Sequence, residues 1–196
     1  MLQASFPEIL KTDRLLLRCY RTEDSVGILN LVNGNTDRLI REFAQIASLR
    51  TLEDAASFVF EKREQWNARN TFCYGIWRNG QADQMGQIQV KNISWEIPAA
   101  ELGYFIGEPW QRCGYATETI REVLRVAFRE LAFERVFVRI LQENRESLSL
   151  AQKVGFRSEG LHRRAYRCGL GELHDVHYLA LIRDDYRKVA KSAASS

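Results

Sequence analysis

The sequence predicts a single α/β domain organised around one mixed sheet of seven strands. Three observations carry that prediction. Segments with a period of two and segments with a period near 3.6 succeed one another in the order β-α-α-β-β-β-α-β-α-β-β. No linker, internal repeat or low-complexity block divides them, and 196 residues suffice for one domain with a substantial core. One stretch, Ala100–Glu118, passes from an aromatic and branched strand through a broken loop straight into an amphipathic helix.

Taken in order, T-D-R-L-L-L-R-C-Y (Thr12–Tyr20) reads as the first strand, and Thr22-Glu23-Asp24-Ser25 opens a helix carrying Ile28, Leu29, Leu31 and Val32. That helix is expected to stop at Asn33-Gly34-Asn35, where Asn and Gly accept left-handed angles. A second helical pattern covers Asp37–Ala47. Thr51-Leu52-Glu53-Asp54 is a capping signature with Thr51 as N-cap, and its helix, to about Ala68, sets Ala56, Val59, Phe60, Arg63 and Trp66 at helical spacing. Phe72–Trp77 and Met85–Ile93 form a hairpin across Asn79-Gly80, and Trp95–Ala99 turns into the central stretch, which completes an antiparallel meander. Thr117–Leu131 is a helix with Ile120, Val123, Leu124, Ala127 and Leu131 on one side. Phe133–Leu141 is the strongest strand. Asn144-Arg145-Glu146-Ser147 starts a short helix that closes at Gly155, the expected left-handed cap. Phe156–Tyr166 and Val176–Leu181 pair across Gly169-Leu170-Gly171, and the small, polar tail Lys188–Ser196 is expected to fray.

Composition narrows the function classes. Apolar residues make up 45% and charged residues 27%, as in ordinary globular proteins. The longest apolar runs fall far short of the ~20 residues that cross a bilayer, and the N-terminus carries no basic region followed by an apolar run, so a cytoplasmic location without membrane attachment is expected. The net charge of +3, from 28 basic and 25 acidic residues interspersed, is too mild for nucleic acid as a direct partner. Cys19, Cys73, Cys113 and Cys168 show no C-x-x-C pair, which suggests reduced thiols rather than zinc or disulfides. His162, His174 and His177 make no metal set, because His174 and His177, three apart in a strand, face opposite sides.

The chemistry lies in the central stretch and after the next strand. A helix start exposes unpaired N–H groups with partial positive charge, so the loop Gln111-Arg112-Cys113-Gly114-Tyr115-Ala116-Thr117, small at Gly114 and Ala116, can seat a diphosphate. Arg112 is placed either to add charge to the anion or to face solvent. Tyr104, Phe105 and Ile106 offer strand backbone to an amide-containing ligand where neighbouring strands splay, while their side chains read as core. Asn144 is fully explained as an N-cap, and Ser147 by itself is an early-helix serine.

Gln111-x-x-Gly114-x-Ala116 is similar to the Q/R-x-x-G-x-G/A signature with which the GNAT superfamily of N-acetyltransferases grips the pyrophosphate of acetyl-CoA. The likeness runs from about Arg14 to Arg183. It resembles the Rim-type branch, the ribosomal-protein N-terminal acetyltransferases, in T-D-R-L-L-L-R, in E-L-G-Y-F-I-G, in Trp110 before the loop, in N-x-x-S followed by V-G-F and S-E-G, and in D-V-H-Y-L-A-L. The resemblance implies one GNAT domain over residues 1–196, with its core at about 12–186 and a mostly antiparallel sheet covered by helices on both faces. It also implies acetyl-CoA as co-substrate without a metal, and direct acetyl transfer to a primary amine. On this reading Gln111–Thr117 hold the pyrophosphate, the backbone of Tyr104–Ile106 and the side chain of Asn144 bind the pantetheine arm, and Ser147 stabilises or protonates the departing thiolate.

For the base, some relatives use a glutamate shortly after S-E-G, where this chain has Ala165-Tyr166. Glu101, Glu118, Glu159 and Tyr166 remain, with Glu101 and Tyr166 foremost. Asp175 is expected to fix the hairpin. The expected acceptor is the N-terminal α-amino group of a protein such as a ribosomal protein. A small-molecule amine (a polyamine, an antibiotic or a toxin) is the alternative, and a non-catalytic acyl-CoA-binding module is the reading from another class. A homodimer is expected by the same resemblance.

Overall fold

A computed structural model describes residues 5–194, with side chains through residue 190. The chain forms one sheet of eight strands in the order β1-β2-β3-β4-β5-β6-β8-β7. These are β1 (Ile9–Lys11), β2 (Leu15–Cys19), β3 (Phe72–Arg78), β4 (Gln84–Ser94), β5 (Ala99–Ile106), β6 (Arg135–Leu141), β7 (Arg157–Arg167) and β8 (Leu173–Ile182). All neighbours are antiparallel except β5 and β6. The strand beyond the expected seven is β1. Three residues after Pro7 are too few to show a period, and β1 exists because it pairs Leu10 with Leu17 of β2 and buries Leu10.

Helices cover both faces. On one side α1 (Ser25–Asn33), α2 (Thr36–Glu42), α3 (Ala44–Ala47) and α4 (Leu52–Asn67) enclose a cluster with Ile28, Leu39, Phe58, Val59 and Phe105. On the other, α5 (Tyr115–Arg125) and α6 (Arg145–Val154) bury Ile120, Val123, Leu124, Ala151 and Val154 against Ile88, Leu102 and Val138. Burying each such aliphatic side chain contributes roughly 1.5–3 kcal/mol, which holds the two layers on the sheet.

Several local expectations change. The first helix stops at Gly34, but with φ −74° rather than a left-handed angle. Asn35 Nδ2 donates to the Leu31 carbonyl at 2.8 Å, which supplies the bond a left-handed cap would have made. The Asp37–Ala47 helix breaks in two at Phe43, φ −140° and ψ 62°, whose ring packs 5.6 Å from that of Phe105. The Thr51 and Asp54 capping box forms as expected. The buried stripe of α4 is Ala55, Phe58, Val59 and Trp66, while Phe60 is 66% exposed and Ala56 and Arg63 also face solvent, so the face was displaced by one position. α5 starts at Tyr115, two residues early, and runs into a π-helical turn at Val126–Glu130. The tail does not fray at Lys188. A helix, α7 (Arg183–Ala194), continues through it, with Tyr186 stacked 4.8 Å from Phe128 and Asp185 paired to Arg157 at 3.0 Å, and residues 195–196 lie outside the described residues.

The feature that positions the site is a gap in the sheet. β5 and β6 pair only at Ala99–Arg135, Ala100–Val136 and Glu101–Phe137. Beyond Glu101, β5 stays bonded to β4 as far as Ile106–Gly86, and β6 stays bonded to β8 as far as Leu141–Val176. The two parallel strands therefore diverge, leaving one edge of Leu102–Ile106 without a strand partner.

Candidate active site

The loop after β5 makes a tight passage into α5. Glu108–Trp110 form a 3-10 turn, Arg112 has φ +60°, and Gly114, at φ +80° and ψ 0°, is the residue before the helix. No side chain caps the helix, so the amides of Tyr115, Ala116 and Thr117 open toward the cavity these residues line. A Cβ at Gly114 would meet only the Arg14 guanidinium, at 3.4 Å. The backbone angle, more than space, therefore calls for glycine.

Arg14, in the turn just before β2 and unforeseen in the sequence reading, clamps this loop. Its Nη1 donates to the Cys113 carbonyl at 3.0 Å, its Nε donates to Glu118 at 2.6 Å, and its guanidinium lies 4.6 Å from the centre of the Tyr115 ring. Arg112 is 84% exposed and paired with Glu146 at the cavity rim. Cys113 is exposed, with its thiol donating to the Gln111 carbonyl.

The gap between β5 and β6 holds two adjoining cavities. The larger, about 290 Å³, runs from the α5 amides past Gln111, Ile106 and Phe105 to Tyr104 and Ser147. The smaller, about 100 Å³, lies behind it among Phe43, Glu101, Arg139, Ile140 and Tyr166. Among the described residues only four line both: Glu42, Tyr104, Asn144 and Ser147.

These four form two hydrogen-bonded pairs. Tyr104 Oη and Ser147 Oγ are 2.9 Å apart, and burial pushes the Tyr104 phenol up to about 12, so it stays protonated at neutral pH. Asn144 caps α6, its Oδ1 accepting from the Ser147 amide at 2.9 Å, while its Nδ2 donates to Glu42 at 2.9 Å. Burial raises the Glu42 carboxyl, Arg38 opposes that, and Glu146 adds to it. The core reading of the strand side chains holds for Phe105 and Ile106, both buried, and fails for Tyr104, whose hydroxyl reaches the site. The Ile106 carbonyl is already taken by Arg38 at 2.7 Å and by Gln111 at 3.3 Å, so the free backbone is that of the preceding residues.

The base candidates separate by their partners. Burial pushes Glu118 up, but hydrogen bonds from Thr12 and Arg14 outweigh it and hold the carboxyl below its ordinary range; the group ties α5 to the turn between β1 and β2. Glu159 is held low by a two-pronged pairing with Arg135 and lines neither cavity. Glu101 lines the smaller cavity, but its carboxylate is taken by Arg139 at 3.0 Å, Lys91 at 3.4 Å and Asn92 at 2.7 Å. Tyr166 also lines it, with its hydroxyl accepting from the Ala44 amide at 3.4 Å. Asp175 accepts from the Arg164 amide at 2.7 Å where β7 bulges, in keeping with the hairpin role.

Glu42 was not foreseen, and Arg38 was foreseen only as one of the basic residues on helices expected to wall the acceptor site. They sit four apart on a polar helix, T-D-R-L-I-R-E, that looks like any solvated face in sequence, and only the packing of α2 over the gap brings them to the site.

The acetyltransferase (GNAT) domain model matches residues 14–157. The chain is 28% identical over 179 residues to an uncharacterised N-acetyltransferase of Bacillus subtilis, covering 91% of this chain and 98% of that one. It is 25% identical over 197 residues to the ribosomal protein uS5 alanine N-acetyltransferase of Escherichia coli, with 94% and 96% covered. Among solved structures, a ribosomal-protein α-N-acetyltransferase in complex with coenzyme A superposes with a TM-score of 0.84 at 21% identity, over 91% of this chain and 99% of that one. The chain belongs to the GNAT acetyltransferase family and is an acetyl-CoA-dependent N-acetyltransferase.

Proposed function

We propose that the protein acetylates the N-terminal α-amino group of a protein whose first residue is small, a ribosomal protein being the leading candidate, and that Glu42, Tyr104, Asn144 and Ser147 carry the transfer. The supporting observation is that these four alone join the two cavities. The larger cavity fits acetyl-CoA: the uncapped α5 amides and Arg112 suit the diphosphate, and the unpartnered edge of β5 suits the amides of pantetheine. When bound, the cofactor supplies a thioester whose acetyl group is the only part transferred.

Glu42 takes the proton of the incoming ammonium and passes it to solvent, with Asn144 holding the carboxylate at 2.9 Å. Backbone N–H groups near Phe105 polarise the acetyl carbonyl as the amine nitrogen attacks. Ser147, hydrogen-bonded by Tyr104, donates to the sulfur as the C–S bond breaks. A proton from the acylated nitrogen restores the hydroxyl pair, so the thiol and the amide both leave neutral. Such a modest base suits an α-amino group, with an ordinary pKa of about 7.7–8.0, better than a lysine amine near 10.4.

The smaller cavity supports the acceptor class. At about 100 Å³ it has room for a small side chain. Arg139 and Lys91 neutralise Glu101, so the lining lacks the acidic excess a polyamine would need, and both cations can meet peptide carbonyls.

The test is thiol release from acetyl-CoA with three acceptor pools: peptides beginning with Ser or Ala, polyamines, and aminoglycosides. Turnover confined to the peptides and lost in Ser147→Ala bears the proposal out. Turnover confined to polyamines or aminoglycosides replaces the acceptor while keeping the four residues, and acetyl-CoA binding without turnover on any pool favours a non-catalytic module.

A further inference from the structure

The turn between β7 and β8 gathers side chains that acetyl transfer does not use. Cys168, Glu172 and His174 follow the spacing C-x-x-x-E-x-H around Gly169-Leu170-Gly171. The Cys168 amide donates to the Glu172 carbonyl at 3.0 Å, and the Gly171 amide donates to the Cys168 carbonyl at 2.9 Å, so the thiol and the carboxylate are returned to the same place. The Sγ, a carboxylate oxygen of Glu172 and an imidazole nitrogen of His174 all lie within 4.8 Å of one another. Cysteine and histidine spacing alone had suggested no such set, because the two histidines considered there face opposite sides of β8, whereas the thiol and the carboxylate come from the turn.

The imidazole is held from one side, with its second nitrogen turned into this cluster. Its Nδ1 lies 3.2 Å from Glu143 Oε1, a contact that in the neutral imidazole favours the proton on Nδ1 and the lone pair on Nε2. That Nε2 is buried, has no hydrogen-bond partner, and faces Glu172 Oε2 at 3.6 Å. A carboxylate behind the far nitrogen of a histidine is the support that metal-binding imidazoles receive. Tetrahedral ligands at about 2.0–2.3 Å from a metal stand roughly 3.5 Å apart, so these donors need only side-chain rotation to close on an ion.

We infer that Cys168, Glu172 and His174 form a binding site for a divalent transition-metal ion, zinc by preference, with its fourth position open to water. A mixed S, N, O set with a thiolate excludes magnesium and calcium, which take oxygen ligands, and favours zinc. Cys168 gives up its thiol proton to solvent as the metal–sulfur bond forms. The thiolate, Glu172 and Glu143 carry three negative charges against the one of Arg41, which pairs with Glu172 at 3.2 Å. A dication therefore brings this group to neutrality.

The place of the site gives binding a consequence. The Gly169 amide donates to the Ile40 carbonyl at 2.7 Å, and a Cβ at Gly169 would lie 2.7 Å from Ile40 Cγ1, so the turn is seated directly on α2. Tyr166, two residues before Cys168, reaches Ala44. An ion joining both strands of the hairpin braces the wall of the smaller cavity.

Untagged protein stripped with a chelator is titrated with zinc by calorimetry and with cobalt(II) by absorbance. The expected result is one equivalent bound, a thiolate-to-cobalt charge-transfer band, and a melting temperature that rises with zinc. Cys168→Ser and His174→Ala abolish all three, and Cys113→Ser, at the exposed cysteine, leaves them intact. Because Cys168 is buried and His174 partly so, Glu172→Gln at the exposed ligand is the second variant: its melting temperature in chelator matches the parent while zinc binding weakens at least tenfold. Absence of saturable binding, or binding indifferent to Cys168 and Glu172, overturns the site.

Discussion

Glu42 shows what a single residue owes to its surroundings. The carboxyl is half-buried, receives one hydrogen bond from Asn144, and is raised by burial more than Arg38 lowers it. A carboxyl whose folded pKa lies above its unfolded value favours the folded state below the unfolded pKa, and that contribution is lost as pH rises through the folded pKa. At pH 8 the charged form is thus a cost to the fold and a requirement of the chemistry. Glu42→Gln is expected to lower kcat by roughly 10²-fold or more while raising the melting temperature at pH 8, with the gain shrinking toward pH 4. The acid limb of the kcat/KM profile moves up with it to the range of the acceptor's own α-amino group. A variant whose limb stays where it was, or that melts lower at pH 8, removes Glu42 from the base role. Ser147 was legible as a candidate because it follows an N-cap in a recognisable motif. Glu42 was not, because helical periodicity says which side of α2 is polar and nothing about what that side faces.

At the scale of elements, the loop into α5 was the most readable part of the chain. Its Gly114 stands where the backbone must turn left-handed, and the strand before it and the helix after it have opposite periodicities. The same reading missed how the loop is held, since Arg14 reaches Cys113 and Glu118 from the turn before β2, about a hundred residues earlier. It also misjudged α4, where Phe60 and Phe58 compete for one face and the contact of Phe58 with Tyr20, at 5.8 Å between ring centres, decides the rotation. For Gly114→Ala the new methyl has space, and the left-handed angle costs about 1–2 kcal/mol. The loop relieves that strain by moving its amides, so KM for acetyl-CoA is expected to rise roughly tenfold, with kcat at saturation changed far less. Steady-state kinetics at varied acetyl-CoA decide it. An unchanged KM means the amides before Thr117 do not hold the diphosphate.

Over the whole molecule, the eight-stranded sheet is continuous everywhere except along β5 and β6, and both helical layers converge on that gap: α2 from one face with Glu42, α6 from the other with Asn144 and Ser147. Strand order was within reach of the sequence because consecutive strands pair from β1 to β5. A mixed sheet was expected, but which pair is parallel was not legible, because a crossover through α5 shows only as a helix between two strands. An edge of Leu102–Ile106 without a strand partner in the middle of a sheet leaves backbone groups to be met by water or by ligand. Acetyl-CoA at a hundred times its Kd is expected to stabilise the fold by about 2.7 kcal/mol, a rise of roughly 5–10 °C in melting temperature for a chain of this size. The protection should be local. Hydrogen exchange should slow at Leu102–Ile106 and at Tyr115–Thr117 and stay unchanged in β1 and β2, which are already paired and distant from the gap. Protection spread evenly over the sheet would mean that the ligand acts on global stability alone and that the divergent strands are not its seat.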